Sequence, residues 1–121
     1  RHHEYPPVVL VGLGGTLVEL YRDVAMRLAP IDRNDGEAMT RQLRVAPIFA
    51  GLRGKPPLDQ AAIVTALVGL SDLILDVAEC VEEIDINPAV VRSAGMGLAV
   101  VDARAVLRAP APDRGSDSRP R

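Results

Sequence analysis

The first hydrophobic signal is Val8-Val9-Leu10-Val11, a short β-branched apolar run closed by Gly12, which predicts a buried strand. Gly12-Leu13-Gly14-Gly15 then reads as a tight turn. Residues 16–28 are rich in strand formers, carry charges at Glu19, Asp23 and Arg27, and are stopped by Pro30. They predict one long or bent strand, or two short ones, pairing with the first. The period then changes. Asp32 or Asn34 can cap a helix running to about residue 44, with Ala38, Met39 and Leu43 as its apolar stripe. Residues 47–57 form a breaker-rich connection with room for one short helical turn. Asp59 caps the longest helix, to about residue 76, where Ile63, Leu67, Leu70, Leu73 and Ile74 recur at helical spacing and predict a broad buried face. Gly69 lies inside that helix and costs up to about 1 kcal/mol against Ala unless close packing uses the gap.

Alternation returns in residues 81–91 and again in 98–107, around a turn over 92–97, which predicts a hairpin. Along the first arm Glu83, Asp85 and Asn87 fall on one side, while Ile84 and Ile86 fall on the other, toward the core. The midpoint of residues 87 and 102 lies between Ala94 and Gly95, the centre of the turn. A regular hairpin therefore makes Asn87 and Asp102 cross-strand partners on one face, with Asp85 as the diagonal neighbour. Residues 1–7 read as an extended lead-in. Residues 108–121 hold no apolar side chain larger than Ala and read as a disordered tail.

A chain of 121 residues with 48% hydrophobic content is one packed domain. The core must be aliphatic, because the only aromatic side chains are Phe49, Tyr5 and Tyr21. A net charge of −2 gives no electrostatic grip on nucleic acid or anionic membrane, and few rings are available for stacking on bases. The apolar stretches read as too short to span a bilayer, and the start has no signal-peptide pattern. The single cysteine, Cys80, excludes an internal disulfide and reads as a small buried residue; a reducing, cytoplasmic setting is the simplest reading. The chain begins at Arg1 rather than Met, which reads as processing or as part of a longer reading frame. Lys and Arg total 14 and Lys55 is the only lysine, which leaves 13 arginines.

Four places hold candidate chemistry. Gly12-x-Gly14 follows a strand, but Leu17 stands at the third glycine position of a dinucleotide fingerprint, and no Gly-Lys-Ser/Thr ending is present. A glycine turn between strands fits this better than a phosphate cradle. Asp85, Asn87 and Asp102 would cluster hard oxygen donors, a set suited to Mg²⁺ carried by a nucleotide phosphate. The plain alternative is a turn at Asn87-Pro88 with solvated acids. Arg53, the cation between Gly51 and Gly54, is either a phosphate contact or a surface arginine in a turn. Glu19 is either a cleft carboxylate or the outward residue of its strand.

Glu83-Ile84-Asp85-Ile86-Asn87-Pro88, with Val100-Val101-Asp102-Ala103-Arg104 beyond the turn, resembles the metal-binding hairpin of ATP-grasp ligases. Gly12-Leu13-Gly14-Gly15-Thr16-Leu17-Val18-Glu19, Asp23-Val24, Arg27-Leu28-Ala29-Pro30 and Gly51-Leu52-Arg53-Gly54 before Pro56-Pro57 narrow it to NDP-forming acyl-CoA synthetases. The nearest type is the β subunit or domain of ADP-forming acetate–CoA ligase, over roughly residues 8 to 107. The resemblance implies an α+β fold, the C-terminal lobe of an ATP-grasp domain, with a small, mostly antiparallel sheet and two helices packed on it. It implies Mg²⁺ (or Mn²⁺) held by the positions of Asn87 and Asp102, and ATP or ADP as the nucleotide. The implied reaction interconverts acid, CoA and ATP with acyl-CoA, ADP and phosphate. The first ATP-grasp lobe, its phosphate-binding lysines and the CoA-binding domain are not in this sequence, and Lys55 matches neither lysine. His2 and His3 are not matched to the family's phosphohistidine. Two rival expectations stand beside this one: a ligand-sensing region of a protein lysine acetyltransferase, and a truncated module that acts only by association.

Overall fold

The computed structural model describes residues 6–13 and 23–109. Strands β1 (Val8–Gly12) and β2 (Val24–Leu28) pair antiparallel, with Val8 opposite Leu28 and Gly12 opposite Val24. The expected strand over 16–28 is thus realised over Val24–Leu28, and its earlier part, with Glu19, lies outside the described residues. Helix α1 (Arg33–Gln42) starts at Asp32, whose carboxylate accepts the Asp35 N–H while Asp35 accepts the Asp32 N–H, a reciprocal capping box. A 3₁₀ turn, Ala46–Ala50, supplies the short helical turn expected in the connection. Helix α2 (Gln60–Val77) is capped by Asp59. The last unit is a hairpin in two ladders: β3 (Val81–Ile86) with β6 (Ala103–Leu107), and β4 (Ala89–Val91) with β5 (Leu98–Val100).

The core lies where α1 and α2 cover one face of β1–β2. Val9, Ala25, Ala29, Ile31, Met39, Leu43, Ile63 and Leu67 form it, and Val91 and Leu98 of the hairpin pack against it from the side. Burial of these aliphatic groups supplies the main favourable term. Besides Asp23, two uncharged polar residues sit inside without loss of partners. The Ser71 hydroxyl accepts the Ile31 N–H at 2.9 Å, and the Thr40 hydroxyl donates to the Glu37 carbonyl while accepting from the Gln60 amide. The opposite face of β1–β2 carries Val8, Leu10, Met26 and Leu28, all more than half-exposed.

Several side chains sit differently from the sequence expectation. On α2 the buried positions are Ile63, Val64, Leu67 and Ser71; Leu70 and Ile74 are half-buried and Leu73 is exposed. The buried stripe follows α1, which lies against the first turns of the helix, so a hydroxyl facing the core displaces a leucine facing away. Gly69 has open space around it, so no packing offsets its cost. Ile84 and Ile86 are half-buried rather than core, because β3 meets α2 but stands outside the cluster beneath β1–β2. Cys80 is exposed in the turn after α2, where its backbone N–H donates to Val77 and its carbonyl accepts from Arg108. Helix α2, with 18 residues, is long and apolar enough to cross a membrane by length and composition, contrary to the expectation from sequence. Its place in this fold is the layer packed on α1 and the strands, and its second half carries Asp72 and Asp76.

Asp59 fixes how the hairpin sits. One carboxylate oxygen accepts the Ala62 N–H at 3.0 Å as the helix cap, and the other accepts the Gly97 N–H at 2.7 Å from the hairpin turn. The Asp59 N–H donates to the Arg92 carbonyl at 2.8 Å, and Ala94 donates to the Pro57 carbonyl. Gly97 holds φ +79°, a left-handed conformation that glycine adopts without steric cost.

Candidate functional site

The hairpin arms pair in the register set by the turn. Ile86 faces Ala103, Asp85 faces Arg104, and beyond the ladder break Ala89 faces Val100. The break falls at Asn87-Pro88, where proline has no N–H to give. The pairing continues through it, because the Asn87 N–H donates to the Asp102 carbonyl at 2.9 Å and the Val101 N–H donates to the Pro88 carbonyl at 3.0 Å. Asn87 and Asp102 are therefore the cross-strand neighbours that the sequence predicts. A shift in pairing appears only at the far end of the ladder, between Val81 and Glu83.

Asp85, Asn87, Asp102 and Arg104 together line an open cleft of about 220 Å³. Asp85 and Asn87 share one phase of the strand alternation, and Asp102 and Arg104 share the facing phase. Asn87 and Asp102 are exposed and Asp85 is half-buried, so the oxygen-bearing groups are accessible. Two carboxylates and one guanidinium leave a formal charge of −1 in the cleft. Arg104 approaches Asp85 at 3.6 Å, with side chains 74% and 39% exposed respectively. A pair so exposed is worth about 0–1 kcal/mol. No group of three or more His, Cys, Asp or Glu side chains suited to a metal occurs among the described residues. The donor set here is two carboxylates and a carboxamide, all hard oxygens of the kind that magnesium takes with water or phosphate completing its shell.

Arg104 belongs to the hairpin motif and is a cleft residue with no role in the sequence expectation. Its signal was available: it stands two residues after Asp102, on the same face, directly across from Asp85. Glu83 is exposed further along that face, opposite Val106. Arg53 lies on an exposed turn with φ +54°, between Gly51 at +90° and Gly54 at +78°, and is not among the residues lining the cleft. That loop adjoins the hairpin turn, since Leu58 bridges Ser93. Glu19, His2 and His3 lie outside the described residues.

The chain is 39% identical over 105 residues to the β subunit of ADP-forming acetate–CoA ligase II of Pyrococcus furiosus; the match takes in 87% of this chain and 44% of that subunit. It is 42% identical over 107 residues to ADP-forming acetate–CoA ligase I of Archaeoglobus fulgidus, covering 88% of this chain and 15% of that protein. Among solved structures it superposes on the dinucleotide forming acetyl-coenzyme A synthetase 1 of Ca. Korarchaeum cryptofilum, determined with coenzyme A and Mg-AMPPCP. The TM-score is 0.81 at 38% identity, over 89% of this chain and 49% of that one. The chain thus spans less than half the length of these relatives. The model of the ATP-grasp domain matches residues 1–107, which takes in all three strand pairs, both helices and the acidic cleft. With that match and the superposition on one fold, this chain belongs to the ATP-grasp domain family.

Proposed function

We propose that the chain is the nucleotide- and Mg²⁺-binding part of an NDP-forming acyl-CoA ligase, working from the C-terminal side of an ATP-grasp domain. The reaction is the conversion of a small carboxylic acid, CoA and ATP to acyl-CoA, ADP and phosphate. The observation that carries this reading is the in-register pairing of Asn87 and Asp102, whose side chains line one cleft with Asp85. Two of the relatives named above are ADP-forming acetate–CoA ligases, and the solved neighbour is an acetyl-coenzyme A synthetase in complex with coenzyme A and Mg-AMPPCP. The proposed partners are the remaining ATP-grasp lobe and a CoA-binding domain or subunit, and the proposed setting is cytoplasmic, with neither nucleic acid nor membrane involved.

The donor chemistry fits magnesium or manganese. Asn87 and Asp102 would hold the cation from adjacent strands, with Asp85 beside them, and their backbones are fixed by the ladder on either side. Bound there, the cation would supply neutralisation and alignment of phosphate charge, which is the main demand of phosphoryl transfer. The chain's own part is to bind and orient: the hairpin sets the spacing of the donors, and Asp59 sets the hairpin against α2. Arg53 is proposed as a phosphate contact from its separate loop.

The test is substitution in the complete enzyme. Asn87→Ala and Asp102→Asn should each abolish phosphoryl transfer and weaken Mn²⁺ binding while leaving the circular dichroism spectrum unchanged, since both side chains are exposed. Retention of activity and of Mn²⁺ affinity by both variants would refute the site. The 121-residue chain itself should show no turnover with acetate, CoA and ATP in a coupled assay.

A further inference from the structure

The cleft holds its own counter-ion. Asp85 and Arg104 are opposite one another in the β3–β6 register, their charged groups come within 3.6 Å, and both line the cleft with Asn87 and Asp102. The placement of Asp85 is therefore tied to Arg104 as well as to its own strand. Resting on the reading of this cleft as a divalent-cation site, we propose that Arg104 is a positioning residue that holds Asp85 back and biases the cleft against a bare divalent cation.

The physical argument has two parts. The guanidinium reduces the formal charge offered to an incoming cation from −2 to −1, so it lowers the attraction directly. It also competes for Asp85, because a carboxylate oxygen engaged with Arg104 must be released or shared before it can join the cation. Asn87 and Asp102 carry no such partner across the ladder: they face each other. The first cation ligands are therefore Asn87 and Asp102, with Asp85 kept in reserve. Such a bias favours a cation that arrives with its phosphates, since those anions offset the positive charge that a bare ion adds beside Arg104. The pair lies on β3 and β6, outside the core cluster, so its effect can be read without unfolding the protein.

The experiment is a titration of the 121-residue chain with Mn²⁺ alone, following the free-ion electron paramagnetic resonance signal, with circular dichroism as a check on folding. Arg104→Gln should bind Mn²⁺ about three- to tenfold tighter than the parent chain, by removal of one screened charge near the site. Arg104→Lys, which keeps the charge, should stay closer to the parent than Arg104→Gln does. Adding Asp85→Asn to Arg104→Gln should return the affinity toward the parent value, and Asp85→Asn alone, which takes the formal charge of the cleft to zero, should weaken it. Unchanged or weaker Mn²⁺ binding by Arg104→Gln overturns the proposal, and so does a gain that survives Asp85→Asn. The underlying reading fails separately: if neither Asn87→Ala nor Asp102→Asn alters Mn²⁺ affinity, the cation is not in this cleft. Absence of Mn²⁺ binding by both the parent and Arg104→Gln overturns both.

Discussion

Asp23 is a carboxylate only 6% exposed, and its place explains a charge that stands one residue before an apolar strand. Its two oxygens accept the backbone N–H groups of Arg44 at 2.7 Å and Val45 at 3.0 Å, the turn that leads from α1 into the 3₁₀ segment. Its own carbonyl accepts the Leu13 N–H across the β1–β2 pair. The side chain thus joins the start of β2 to the end of α1. Hydrogen bonds to a charged group contribute about 1.5–3 kcal/mol each. Arg44 is exposed, so water can replace part of what its N–H loses. Asp23→Ala should therefore cost about 2–4 kcal/mol in all. Asp23→Asn keeps one carbonyl oxygen but turns an amide NH₂ toward the second donor, and should cost about half as much, roughly 1–2 kcal/mol. Because the chain has no Trp, unfolding in urea is best followed by far-ultraviolet circular dichroism. With a slope of about 1–3 kcal/mol per molar urea, the alanine variant should lose on the order of 1–2 M in midpoint at unchanged slope. Asp72→Ala, on the exposed side of α2, is the control and should stay within about 0.5 kcal/mol of the parent. If Asp23→Asn matches the parent and Asp23→Ala loses no more than the control, the carboxylate does not hold this junction.

Two helical glycines should respond in opposite directions. A Cβ on Gly36 would meet the Val64 methyl Cγ1 at 2.9 Å, so Gly36→Ala should destabilise by about 1–3 kcal/mol, whereas Gly69→Ala meets nothing within 4 Å and should stabilise by about 0.5–1 kcal/mol in the same urea titration. Met39 is 0% exposed, so Met39→Ala should cost about 2–5 kcal/mol; Ile84→Ala, half-buried, should cost only about 1–2 kcal/mol, and equal losses would contradict the placement of the core. The outward face of β1–β2 should make the 121-residue chain self-associate: sedimentation should show species heavier than a monomer, reduced by Leu10→Lys or Met26→Lys, and a concentration-independent monomer would rule this out.

What the sequence determined by itself is local. The helix start at Asp59 was legible, and that of the first helix was narrowed to Asp32 or Asn34, because an N-terminal turn leaves N–H groups that a preceding polar side chain can accept. The hairpin register was legible because the side-chain period of a strand is two and the turn centre is marked by Ala94 and Gly95, so Asn87 and Asp102 could be paired by counting. The tertiary structure decided the rest. Ser71 is buried and Leu73 exposed because α1 lies on one side of α2, and helical periodicity alone does not say where the neighbour sits. Ile84 and Ile86 alternate as core residues would, yet the core formed beneath a different pair of strands. Asp23 reads as an ordinary strand charge until the end of α1, some twenty residues later, brings it two backbone donors. Arg104 differs from these, since the count that pairs Asn87 with Asp102 also sets it opposite Asp85; the folded ladder added the approach of the two charges to 3.6 Å. Periodicity follows from bonded geometry and can be read along the chain, whereas burial and charge pairing depend on which distant segment lies opposite.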